Sequence, residues 1–141
     1  MIEGLFVPAF GSETLAAMGD AGSVADGLVM TTDSFVVKPI RFPGGSIGEL
    51  AVNGTVNDLA VSGARPLYLS AGFILEEGFP LEDLRRVLAS MRDAAAEAGV
   101  QVVTGDTKVV QRGGADKLFI NTSGVGVIES PVRLSASGAR V

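Results

Sequence analysis

Residues 81–99 constrain the fold of this chain more than any other stretch. Leu81, Leu84, Leu88, Met91, Ala95 and Ala98 recur at helical spacing and draw one apolar stripe. Pro80 suits a helix start, Glu82 and Asp83 suit the positive end of the helix dipole, and Gly99 supplies the stop. On either side lie runs that read as strands, PLYLSAGFILEE over 66–77 and VQVVTGDTKVVQ over 100–111. A helix fixed between two strands commits the chain to packing helices on a sheet.

The rest of the sequence extends that pattern. GLVMTTDSFVVKPI, 27–40, is rich in β-branched residues and reads as one strand with Asp33 near its middle, or as two strands meeting there. FPGG then forms a turn. Ser46, with Glu49 three residues on, makes a capping box for a helix running to about Ser62, whose Val52, Val56, Leu59 and Ala60 share one face. On that helix Asn53 and Asn57 form an i, i+4 pair, Asp58 projects from an adjacent side, and Gly63 and Pro66 end the element. A turn at Arg112-Gly113-Gly114 leads to LFINTSGVGVIES, 118–130, and the two flanking strands are expected to pair as a hairpin. Residues 1–22 are short apolar pieces broken by Pro8, Gly11, Gly19 and Gly22, with a helical turn or two over Ser12–Met18. The order predicts an α+β domain, a four-stranded mixed sheet with helices on one face. A sheet covered on one face must bury the other, and a dimer closing two such sheets into a β-barrel is one way to do so.

Composition narrows the function. The 141 residues suit one domain, assigned to 1–130, and PVRLSASGARV, 131–141, has the character of a linker toward a second domain. A net charge of −5 without a basic run argues against nucleic acid as a partner. No segment approaches the roughly 18 uninterrupted apolar residues of a membrane span, and nothing at the N-terminus resembles a signal peptide, so a soluble cytoplasmic protein is expected. There is no cysteine and no histidine, which removes thiolate chemistry and the commonest neutral-pH proton shuttle.

Chemistry-bearing residues cluster where regular elements are interrupted. The breaks are Thr31-Thr32-Asp33-Ser34, Asn57-Asp58, and Thr104-Gly105-Asp106-Thr107-Lys108. Each sets a carboxylate among small or hydroxyl neighbours, which suits a hard cation such as Mg²⁺ bridging protein carboxylates to nucleotide phosphates. Gly105 would let a phosphate or metal approach the backbone, and Lys108 could place a point charge on a phosphate. A lone aspartate in a strand is more often a turn former, a cap or a solvated edge residue; three such breaks bring the two readings level. Asn53 and Asn57 read more simply as solvent-facing, and Lys38 as an ordinary solvated residue. GxxxxGK does not occur, which excludes a P-loop.

Those motifs carry a resemblance. TTDSFVV, FPGG-x-IG, VNGTVNDLA, ARPLYLSAGFILEEG, GDTKVV and LFINTSGVGVI together resemble the HypE family of hydrogenase maturation factors, over about residues 5 to 139. That family is a branch of the PurM-like superfamily, which includes aminoimidazole ribonucleotide synthetase. The resemblance implies an N-terminal PurM-like domain that dimerises through its sheet into a β-barrel and binds ATP with Mg²⁺. It implies a carbamoyl dehydratase that uses ATP to convert a carbamoyl group on a C-terminal cysteine into the thiocyanate that becomes the cyanide ligand of nickel-iron hydrogenase. HypF would donate the carbamoyl group, and HypC and HypD would accept the cyanide. By position, Asp33, Asp58 and Asp106 match the family's metal and nucleotide carboxylates, Asp20 matches a fourth, and Thr32, Asn57, Thr107 and Lys108 match neighbours that contact phosphate or orient the carboxylates.

The chain departs from the family in three ways. It lacks the glycine-rich His-Gly segment that helps cover the phosphates, it ends at SGARV where the family continues, and it has no cysteine. The expectation is therefore the nucleotide-binding and dimerisation half of such an enzyme, which dimerises, binds ATP weakly or not at all, and does not turn over. Two alternatives stand beside it: a small-molecule kinase or synthetase of the same superfamily, and a docking module that binds no nucleotide.

Overall fold

Both long helices form where their terminal chemistry lies. In a computed structural model, which describes residues 1–11, 19, 21–23 and 27–129, Ser46 caps a helix by accepting from the Glu49 backbone N–H at 3.5 Å. Gly99 ends the other in the left-handed conformation at φ 68°. In chain order, a π-helical turn Ile2–Phe6 runs into α1 (Val7–Phe10). Then come β1 (Gly22–Ser23), β2 (Leu28–Phe35), β3 (Arg41–Phe42), β4 (Gly45–Ser46), α2 (Ile47–Val61), β5 (Ala64–Glu76), α3 (Leu81–Ala98), β6 (Gln101–Val110) and β7 (Leu118–Ile128). The 27–40 run is thus one strand to Phe35 followed by a loop, and the FPGG turn joins β3 to β4 in a small hairpin. The helical turn expected over Ser12–Met18, the Asp20 site and the 131–141 linker lie outside the described residues.

The main sheet has four long strands and the two-residue β1, in the order β1-β2-β7-β5-β6. β5 and β6 are parallel, joined through α3, while β7 runs antiparallel to both β2 and β5. This corrects the expected hairpin: β6 and β7 are separated by β5. Burial shows why. Leu118, Ile120, Thr122, Gly124 and Gly126 alternate as buried positions on β7, which demands a central place under the helices, whereas β6 is exposed along nearly its whole length and can only be an edge. The connection crosses the end of β5, where the Glu76 carboxylate accepts the backbone N–H groups of Gly113 and Lys117 at 2.6 and 3.2 Å.

α2 and α3 cover one face and enclose the core, with Ile47, Leu59, Leu69, Leu118 and Ile120 essentially inaccessible. Burying each such side chain contributes about 1.5–3 kcal/mol. The apolar stripe of α3 is turned from its expected line: Val87, Met91, Ala94 and Ala95 are buried, while Leu81 is 67% exposed and Leu88 43%. Two neighbouring diagonals of this helix are apolar, and contact with α2, marked by the 2.8 Å Ser46–Ser90 hydroxyl bond, selects the second. On α2, likewise, Ala60 is exposed and Ile47, Ala51 and Thr55 join Val52 and Leu59 in the core. The far face of the sheet carries no helix among the described residues, and it is apolar at Leu28, Met30, Tyr68 and Ile74.

Candidate functional site

The pleat of β2 decides where its polar break points. Thr31 and Phe35 are buried toward the helices, so Asp33, two residues from each, also faces the helices. α2 crosses directly above. A Cβ at Gly54 would stand 2.9 Å from the Phe35 ring and 3.6 Å from Asp33 Oδ2, so glycine at this position lets the helix settle onto the strand with the carboxylate against it. One turn further along α2, Asp58 Oδ2 accepts from Thr31 Oγ1 at 3.0 Å. Asp33 and Asp58 therefore share the seam between β2 and α2. Asp33 Oδ1 also accepts the Ser34 N–H at 2.7 Å. Two carboxylates with a hydroxyl between their anchoring elements form an all-oxygen donor set, the chemistry a hard cation requires. Asn57, beside Asp58, is exposed on α2.

Thr32 points the other way. Its hydroxyl lies on the open face, donating to the Thr122 carbonyl at 3.2 Å and accepting from Ser123 Oγ at 2.9 Å and Asn121 Nδ2 at 3.3 Å. Asn121 Nδ2 also bonds Ser34 Oγ at 3.0 Å and the Asp33 carbonyl at 2.9 Å. Asn121, Ser123 and the buried pair Thr55 and Thr122 are site neighbours that sequence reasoning missed. For the three on β7 the signal is the two-residue alternation of that strand, which sorts polar side chains to both faces.

Asp106 and Lys108 sit on the edge strand. The sheet register runs Ser34, Asn121, Gly72, Asp106 across four strands, so both side chains lie on the open face with Thr32. A cleft of about 370 Å³, hollow over Gly72, joins Ser34 and Asn121 to Asp106 and Lys108. Lys108 Nζ meets Asp106 Oδ2 at 2.6 Å, and this hydrogen bond, then one from the Thr107 backbone, then charge attraction hold the Asp106 carboxyl below its ordinary range. Thr107 turns instead to a largely apolar groove beneath α3, where Phe73, Leu88 and Met91 lie. Gly105 answers a packing demand: a Cβ there would run into the Ala71 carbonyl oxygen of β5.

The three carboxylates are thus divided. Asp33 and Gly105 share one register row through Thr122 and Ala71, three strand spacings apart, or about 14 Å. Asp106 follows Gly105 but faces the opposite side. Among the described residues no group of three or more metal-ligating side chains comes together. Lys38 pairs with Asp116 at 3.0 Å on the surface, as befits a solvated residue.

Comparison with known proteins places the chain in a class. Residues 17–128 match the family described as AIR synthase related protein, N-terminal domain, and the chain belongs to that family. Within it, the sequence is 58% identical over 144 residues to the carbamoyl dehydratase HypE of Bradyrhizobium diazoefficiens, covering all of this chain and 42% of that protein. Two solved structures are similar throughout. A HypE–HypF complex aligns with a TM-score of 0.93 at 54% identity, covering 99% of this chain and 46% of the other. HypE in complex with ATP aligns with a TM-score of 0.79 at 55% identity, covering 99% and 42%. The chain spans about two-fifths of the length of the relatives it matches. No helix among the described residues is long and apolar enough to cross a membrane.

Proposed function

We propose that this chain is the nucleotide-binding and dimerising part of an ATP-dependent carbamoyl dehydratase of hydrogenase maturation. The observation that carries the reading is the seam carboxylate pair, Asp33 and Asp58, in a chain 55% identical to a protein solved with ATP. Asp33 and Asp58, with Asp20, would supply the protein oxygens of a Mg²⁺ site facing nucleotide phosphates. Asp106 would join them from the open face, with Thr32, Asn57, Thr107 and Lys108 as phosphate contacts or carboxylate orienters. In the complete enzyme the carbamoyl oxygen leaves on the transferred phosphoryl group as inorganic phosphate, the nitrogen loses two protons, and a thiocyanate remains on sulfur. This chain has no cysteine, so that sulfur belongs to another part of the enzyme.

An apolar face without a helix and a β6 edge without a neighbouring strand, among the described residues, support a homodimer that closes the two sheets into a barrel. Such a dimer would set one subunit's Asp106 and Lys108 against the other's open face. HypF as carbamoyl donor and HypC with HypD as cyanide acceptors complete the reading, in the cytoplasm. Titration calorimetry with ATP, with and without Mg²⁺, tests it. Weak Mg²⁺-dependent binding without turnover is expected, reduced at least about tenfold (about 1.4 kcal/mol) by Asp58→Asn and by Asp106→Asn. No heat from the unaltered chain would sink the nucleotide reading and leave a docking module.

A further inference from the structure

Thr55 and Thr122 are both fully buried, and their hydroxyls meet at 2.5 Å between α2 and β7. A hydroxyl withdrawn from water must recover its bonds inside the protein. Here the proton count sets the direction of the chain of bonds. Thr122 Oγ1 donates to the Ala51 carbonyl at 2.9 Å, which uses its single hydrogen, so Thr55 Oγ1 is the donor to Thr122 Oγ1. Ala51 and Thr55 stand one turn apart on α2, so the Thr122 hydroxyl is gripped at two levels of the helix.

The location of this bolt gives it a use. Thr122 pairs directly with Asp33 in the β2–β7 ladder. On α2, Thr55 follows Gly54, which lies over Asp33, and precedes by three residues Asp58, which is bonded to Thr31. We propose that the Thr55–Thr122 hydroxyl pair is a positioning device that sets the height of α2 above the sheet and with it the separation of Asp33 and Asp58; this rests on the metal-nucleotide reading of that pair. Hydroxyls close to about 2.7 Å, whereas methyl groups in contact stand at about 3.8 Å. An apolar version of the same layer lifts the helix by about 1 Å, a displacement that can cost on the order of 10²-fold at a site that depends on geometry. A pair serving stability alone would be replaceable by apolar isosteres at little cost.

The test compares Thr55→Val/Thr122→Val and Thr122→Ser with the unaltered chain by thermal unfolding, by ATP titration with and without Mg²⁺, and by crystallography. The double valine variant is expected to melt within a few degrees of the unaltered chain and to lose at least tenfold of the Mg²⁺-dependent gain in ATP affinity, with metal-free affinity unchanged. Thr122→Ser, which keeps the hydroxyl, should retain the gain. A folded double variant with an undiminished gain overturns the proposal. If the unaltered chain shows no Mg²⁺-dependent binding, the functional reading fails by itself, and the structure of the double variant decides the positioning claim. An α2 raised by about 1 Å with Asp33 and Asp58 farther apart supports it; an unmoved α2 overturns it. Should the double variant not fold, Thr55→Val alone, which keeps the bond from Thr122 to Ala51, is read by the same criteria.

Discussion

Two acidic stretches with nearly the same spelling, TTDS and TGDT, end in opposite physical states. At the β2–α2 seam a helix lies over the strand, so Asp33 is half-buried against Gly54 and its partner Asp58 is held by Thr31. On β6 no helix among the described residues covers the carboxylate, which is 68% exposed and paired with a lysine two residues away on the same strand. The difference lies in topology rather than in residue type. A central position under α2 builds the surroundings of a carboxylate in advance, whereas an edge strand leaves them to whatever covers the edge.

The largest effect that would break this contrast is one of stability. Leu59 is fully buried on the sheet-facing side of α2 beside Val29 and Ala64, so Leu59→Ala should cost about 2–5 kcal/mol in urea unfolding at low protein concentration. Val103 on β6 is 57% exposed, and Val103→Ala should stay within about 0.5 kcal/mol. Equal losses would mean that the edge is as well covered as the seam, and the comparison would fail.

The next effect concerns the open face. Met30 is 48% exposed there, on the strand that carries Asp33. If a second copy covers the face, Met30→Glu buries a charge and should weaken dimerisation at least about a hundredfold, or about 2.7 kcal/mol, read by light scattering across a dilution series. A monomeric unaltered chain at micromolar concentration would end the barrel reading and leave the open-face carboxylate uncovered.

The sequence made the helices legible because their signals are local. The cap at Ser46, the stop at Gly99 and the strand composition of 66–77, 100–111 and 118–130 all depend on neighbours in the chain. Strand order was not legible in the same way. A turn at 112–114 suggested a hairpin, but β7 is buried on alternate residues and β6 is not, so the crossover through α3 takes precedence. For the site, the aspartates stood out as polar breaks, while the face each occupies depends on pleat and register. That is why Thr32 and Asp33, adjacent in sequence, point to opposite sides. It is also why Thr55 and Thr122, ordinary residues 67 apart, were missed until the fold brought them together.

The smallest effect sharpens the edge half of the contrast. Because Lys108 favours the ionised form of Asp106, the folded-state pKa lies below the unfolded value of about 3.9. The contribution of the pair is therefore present above that unfolded value and is lost as the pH falls through the lower folded one; between pH 5 and 8 it does not change. Lys108→Met should move the titration of Asp106 upward toward the ordinary carboxylate value, followed by the carboxyl ¹³C shift, and high salt should move the unaltered chain the same way. With both side chains 68% exposed, solvent screening keeps the effect on unfolding small. An Asp106 titration that ignores the loss of Lys108 would show that the pair is not held in solution. The edge carboxylate would then be unrestrained in the free chain, and any order it gains on binding would come from what covers β6.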